Sequence, residues 1–145
     1  MAVLTELELA HQVVVRGEPP VPASTTGEID GKPAIWLGPD EWLVLGGREA
    51  DFPDALAATD VSANRTAFVL EGARGGDVLA QGCSLDLHPA SFVVGACAQT
   101  LLARAQVILV RSGPERFLVL VRPSYAPYLR AWLEDAIEGA AHGGA

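Results

Sequence analysis

Two runs of strand-forming residues, 106–111 and 116–121, stand four residues apart across Ser112-Gly113-Pro114-Glu115, and an amphipathic stretch follows. Gly and Pro between two such runs signal a hairpin. Over 124–138, Tyr125, Tyr128, Leu129, Trp132, Leu133, Ala136 and Ile137 recur at helical spacing, so one face of a helix is apolar. Ser124 is placed to cap that helix, and Pro127 falls in its first turn, where a missing N–H costs little. A hairpin followed by a one-faced helix must bury that face, which limits the chain to layered architectures.

Upstream, 33–37 and 41–45 read as a second hairpin around Gly38-Pro39-Asp40, flanked by Trp36 and Trp42. Each indole offers a large buried area once its N–H finds a partner, for core packing or for ligand stacking. Residues 51–59 read as a short helix with Phe52, Leu56 and the alanines on one side. Residues 65–71 read as a strand stopped by Gly72, and 73–81 as a second helix with Gly82 in the left-handed position beyond its end. A further strand is predicted over 98–105. The first 32 residues hold one strand-like run, 11–16, then a loop rich in Pro, Gly, Ser and Thr. Residues 139–145 form a Gly/Ala tail expected to be flexible.

This order predicts an α+β fold, mainly antiparallel sheets with packed helices, in one domain over 1–145. Hairpin then helix occurs twice, at 33–59 and 106–138. That points to pseudo-duplicated subdomains, with no sequence identity between these two stretches to accompany it.

Half of the 145 residues are apolar and 19% are charged, enough for a packed core without disulfides. A net charge of -8 with no Lys/Arg cluster argues against nucleic acid and anionic membrane as partners. The first residues carry two glutamates and no basic region, and no apolar run approaches a membrane span, so a cytoplasmic location is expected. Cys83 and Cys97 lack CxxC spacing and read as buried thiols; His11, His88 and His142 are scattered, which argues against zinc.

Residues 60–92 concentrate the chemistry-bearing types. Ser62 lacks a GxSxG elbow and a nearby histidine, so Asp60 and Ser62 read as turn-closing residues. Gly72, Gly75 and Gly76 lack the Lys-Ser/Thr of a phosphate loop and read as a strand-to-helix turn, with Asp77 favourably near the helix start. Asp86 and His88, before Pro89, read as turn residues. Arg104, Arg111 and Arg122 lie on or beside the late strands, where they either pair internal carboxylates or serve an interface. Arg65, Arg111, Arg122 and Tyr125 are the interface candidates, because arginine and aromatic side chains anchor interfaces more often than other types.

Five stretches in order, WLGPDEWLVL, DVSANRTAFVLEG, LAQGCSLDLHPASF, CAQTLLARAQVILVR and FLVLVRPSYAPYLRAWLEDA, resemble the gamma subunit of heterotetrameric sarcosine oxidase. The similarity runs over about 36–135. That family is similar in fold to the folate-binding domain of the aminomethyltransferases, whose two interlocked halves are related by a pseudo-twofold. Aminomethyltransferases carry Gly-Gly-x-x-Asp-Asp before an apolar strand, with an aspartate that serves folate chemistry. The matching stretch here, Leu102-Ala103-Arg104-Ala105-Gln106, holds no acid, and Gln106 cannot accept a proton as a carboxylate does. Two further departures are a short amino terminus and Arg74-Gly75-Gly76, where relatives carry an acid and alanines.

The resemblance implies a non-catalytic gamma subunit, with no catalytic, cofactor or metal residues of its own. Its partners would be the alpha, beta and delta subunits, which would carry FAD, FMN, NAD, zinc and tetrahydrofolate. The assembly would convert sarcosine to glycine, hydrogen peroxide and formaldehyde or methylenetetrahydrofolate. The alternatives are a free-standing folate-binding protein and a homo-oligomeric scaffold.

Overall fold

A computed structural model describes residues 2–62 and 64–143. Along the chain lie β1 (Val3–Leu7), β2 (Gln12–Arg16), β3 (Thr26–Ile29), β4 (Lys32–Gly38), β5 (Glu41–Leu45), a 3-10 turn at Glu49–Asp51, β6 (Ala57–Asp60) and β7 (Thr66–Glu71). Then come α1 (Gly75–Ala80), β8 (Cys97–Leu102), β9 (Ala105–Gly113), β10 (Arg116–Val121), a 3-10 turn at Pro123–Tyr125 and α2 (Ala126–Gly143). The described strands make two five-stranded sheets, ordered β1-β7-β10-β9-β8 and β3-β4-β5-β2-β6. Neighbouring strands pair antiparallel. The fold is α+β, as the order of the elements predicts.

Side-chain alternation along each strand sorts residues between layers. Phe68, Leu70, Val107, Leu109, Phe117 and Val119 form a core with Val78 and Leu79 of α1 and Leu129, Leu133 and Ala136 of α2. The intervening Ala67, Ile108, Val110 and Leu120 pack on Ile35, Leu43 and Leu45 of the second sheet. β9 and β10 are thus sandwiched on both faces, which is why they read as unbroken apolar runs. Burying each such large side chain contributes about 1.5–3 kcal/mol. On the far side of the second sheet, Val13, Val15, Ala34, Trp42 and Val44 are covered by Phe52, Ala55 and Ala58.

The sheet orders reveal the duplication. In each sheet a three-strand meander, β3-β4-β5 or β8-β9-β10, is followed by the strand that precedes it in sequence, β2 or β7. Each sheet is then completed by the first strand of the other copy: β1 pairs with β7, and β6 with β2. The copies are therefore β1–β5 and β6–β10, interlocked by exchange of their first strands. Equivalent bonds repeat across the axis. Gly17 N–H donates to the Asp40 carbonyl at 2.9 Å and Gly72 N–H to that of Glu115 at 2.9 Å. Thr26 N–H donates to the Gly95 carbonyl at 2.8 Å and Cys97 N–H to that of Ser24 at 2.9 Å, around the Thr25–Ala96 bridge. Gly17 and Gly72 share a left-handed φ, 148° and 140°.

This corrects the duplicated unit proposed above. The first copy has no helix after its hairpin, and identity does accompany the true alignment: Gly38-Pro39-Asp40-Glu41-Trp42-Leu43-Val44-Leu45 matches Gly113-Pro114-Glu115-Arg116-Phe117-Leu118-Val119-Leu120. The expected helix over 51–59 is a 3-10 turn and then an edge strand. A helix of nine residues is marginal without a packed face. Here Leu56 is 86% exposed, and Ala57–Asp60 instead adds backbone hydrogen bonds to β2.

Strand β1 went unread because its side chains are mostly exposed, and β3 because four mostly half-buried residues, Thr26-Gly27-Glu28-Ile29, carry little apolar alternation. Ser124 sits inside the second 3-10 turn rather than capping the helix. Gly82 is not left-handed. Its role is close approach, since a Cβ there would lie 2.5 Å from the Trp132 ring. The helix continues to Gly143, beyond the expected end at 138, while residues 144 and 145 of the expected tail lie outside the described residues.

Candidate interface

The chemistry-bearing stretch 60–92 is occupied with structure. Asp60 Oδ1 accepts from the Ser62 N–H at 2.9 Å and from the Ser62 hydroxyl, while Ser62 Oγ accepts from the Gln12 N–H at 3.2 Å. These bonds from Ser62 hold the Asp60 carboxyl below its ordinary pKa. Asp86 closes a turn by accepting from the His88 N–H at 3.0 Å, and His88 Nδ1 accepts from the Ala90 N–H at 3.0 Å. Asp77 lies in the first turn of α1, 3.3 Å from Arg74. Cys83 and Cys97 are buried free thiols. Among the described residues, no three His, Cys, Asp or Glu side chains stand together as a metal site would require.

Of the four interface candidates, Arg111 is corrected. It is 6% exposed, and its guanidinium donates to the carbonyls of Leu87 at 3.2 Å, Phe92 at 3.4 Å and Pro114 at 2.5 Å. It also lies over the Phe117 ring at 5.0 Å. A buried charge persists when its donors are satisfied, and here they fasten the 87–92 loop to the β9–β10 turn. Arg104 is exposed in the β8–β9 turn.

The other three come together at one end of the first sheet. Thr66 of β7 pairs with Val121 of β10, so Arg65 and Arg122 are neighbours one step past the strand ends. Val121 also pairs with Val107, bringing Gln106 beside Arg122, and Gln106 pairs with Leu101. By the two-residue alternation of strands, Arg65, Arg122 and Gln106 continue the rows that hold Ala67, Leu120 and Ile108 in the inter-sheet core. One step beyond that core, the inner face changes from apolar to cationic.

Arg65, Arg122, Gln99, Gln106 and Leu101 line a cleft of about 360 Å³. Burial and the Arg122 guanidinium press the pKa of Arg65 below the ordinary arginine value, and Glu41 offsets part of this. Among the described residues, Arg65 Nε is buried without a hydrogen-bond acceptor, and neither arginine is ion-paired. Leu101 is 54% exposed at the rim. Tyr125 donates its N–H to the Arg122 carbonyl at 2.9 Å and keeps its ring exposed. Gln99 and Leu101 were missed by sequence reasoning. The signal for them was the register of β8 on β9, which only pairing reveals.

The pseudo-twofold relates this cleft to a larger one of about 680 Å³, lined by Ala10, Thr26, Glu28, Pro33, Ile35 and Gly46. There Ala10 takes the place of Arg65 and Gly47 that of Arg122. Ala10 lines that cleft, whereas Gly47 does not, since a Cβ there would meet Val13 at 2.8 Å and Val44 at 3.0 Å.

The model of the sarcosine oxidase, gamma subunit family matches residues 9–139. The chain belongs to the sarcosine oxidase gamma subunit family. The gamma subunit of Corynebacterium sp. (strain P-1) is 33% identical over 135 residues, 87% of this chain and 66% of that relative. The chain thus spans just under two thirds of that curated relative's length. The solved heterotetrameric sarcosine oxidase from Corynebacterium sp. U-96, in complex with pyrrole 2-carboxylate, has a chain that matches at TM-score 0.81 and 29% identity, covering 94% of this chain and 84% of that one. Glycine cleavage system aminomethyltransferase T from Bartonella henselae matches at TM-score 0.67 and 15% identity, over 91% of this chain and 45% of that chain. That second match is a likeness of fold, and it agrees with the interlocked halves of this gamma-family chain.

Proposed function

We propose that this chain is the non-catalytic gamma subunit of a heterotetrameric sarcosine oxidase, docked on larger subunits that perform the chemistry. The observation that carries this reading is the family match over 9–139 together with the TM-score of 0.81 to a chain of a solved heterotetrameric oxidase. The partners are the alpha, beta and delta subunits, and FAD, FMN, NAD, zinc and tetrahydrofolate reside on them. The assembled enzyme oxidises the N-methyl group of sarcosine, yielding glycine, hydrogen peroxide and formaldehyde or methylenetetrahydrofolate. The complex is cytoplasmic; among the described residues no helix is long and apolar enough to cross a membrane. Arg65, Arg122 and Tyr125 belong to the docking surface.

Tagging the chain in its native host, purifying it gently and recording the visible spectrum tests the reading. A yellow complex of larger subunits that oxidises sarcosine is expected. A colourless protein purified alone would overturn it. The second reading, a free-standing folate-binding protein, is favoured by the cleft of about 680 Å³ and opposed by the missing acid over 102–106. Saturable folate binding by the isolated chain would select it.

A further inference from the structure

We infer that the cleft between Arg65 and Arg122 is a carboxylate-binding pocket that receives an Asp or Glu side chain of a partner subunit; the choice of partner rests on the accessory-subunit reading above. Two guanidinium groups placed opposite each other across paired strands repel, and β-strand registers disfavour like charges there. The Thr66–Val121 pairing imposes that arrangement on Arg65 and Arg122. Within the chain only Glu41 offsets part of that repulsion, the same rows one step earlier hold Ala67 and Leu120, and the equivalent positions of the other copy are Ala10 and Gly47. The arrangement becomes favourable once an anion lies between the two groups.

The cleft fits a carboxylate by size and by chemistry. At about 360 Å³ it suits one side chain. Guanidinium groups bind carboxylates through parallel N–H···O bonds, and Arg65 Nε is a buried donor with no acceptor among the described residues. Gln99 is already committed, donating to the Leu37 carbonyl at 2.8 Å, which fixes that wall. The rim favours a protein as the source of the anion. Leu101, which lines the cleft, and Tyr125, whose N–H is bonded to the Arg122 carbonyl, are exposed apolar or aromatic side chains, the type that excludes water around a charged anchor. On a chain of net charge -8, this is also a local patch that attracts an acidic partner segment.

The test is co-expression of the tagged chain with the oxidase subunits of its host, comparing wild type with the Arg65→Gln/Arg122→Gln double variant. The double variant is expected to retain about a tenth or less of the co-purifying subunits at moderate salt, while its isolated chain melts no lower than wild type because the repulsion is gone. Full co-purification by the variant overturns the pocket, as does a loss of binding that merely follows a lowered melting temperature. If the wild-type chain retrieves no larger subunit, the accessory reading falls and the pocket is judged separately. N-acetylglutamate titrated into the isolated chain should then shift the Arg65 Nε–H resonance saturably, with the shift abolished by Arg122→Gln. An unmoved resonance overturns the pocket as well.

Discussion

Arg65, just before β7, and Arg111, on β9 of the same sheet, are the same residue type yet meet opposite fates. Arg111 has its donors spent on three carbonyls, so it fastens a loop. Replacing it by Met removes those donors and leaves buried acceptors without partners, at about 1–3 kcal/mol for each unsatisfied group. Urea unfolding of Arg111→Met should therefore show a loss of at least ~2 kcal/mol, and an unchanged midpoint would contradict the fastening role. Cys97 carries the residue-scale pH prediction. Burial pushes its thiol up to about 11 from an ordinary 9.0, and its S–H lies 3.4 Å from the Thr25 carbonyl. Because the unfolded thiol ionises first, stability from this group is intact below pH 9 and falls as pH rises through 11. Thermal melts of wild type and Cys97→Ala should converge across that window, and a parallel pair of curves would exclude the effect. At pH 8 the folded thiol should also react slowly with disulfide reagents.

The two helices meet at a glycine. α1 is short and ends where Gly82 lets the Trp132 ring of α2 lie against the backbone, and the Gln81 side chain then donates to the Ala136 carbonyl at 2.8 Å. Gly82→Ala would place its Cβ 2.5 Å from that ring, an overpacking that costs about 1–3 kcal/mol. If glycine were present there only to end a helix in a left-handed turn, replacing Trp132 by Leu would not relieve the cost. Close approach requires that Gly82→Ala be much milder in a Trp132→Leu background, which a double-mutant cycle measures. At the same scale, the hairpins and the long helix were legible because each carries its own periodicity. The segment 51–60 was not, because its alanines have helical preference while the open edge of β2 offers it hydrogen bonds. A short helix with no apolar partner loses to a sheet edge.

Across the whole molecule, the exchange of β1 and β6 binds the two copies into one unit. Neither sheet is complete within its own half of the chain, so the sheets should unfold together. Trp36 and Trp42 report on the second sheet and Trp132 on the helical layer. A Trp36→Phe/Trp42→Phe chain and a Trp132→Phe chain are each expected to give fluorescence midpoints that coincide with that chain's circular-dichroism midpoint. Separated midpoints would show independent halves.

Sequence alone determined the elements whose burial is written into local pattern: the 106–121 hairpin, the 33–45 hairpin, the helix face of Leu129, Leu133 and Ala136, and the family through its ordered motifs. It also held the repeat GPDEWLVL and GPERFLVL, legible once the copies are aligned by strand rather than by hairpin and helix. Tertiary structure decided what depends on register and on distant partners. Only tertiary contacts set Arg65 beside Arg122, give Arg111 its carbonyls and exchange the first strands, because residues as distant in the chain as Val3 and Glu71 become neighbours through bonds that no local period encodes.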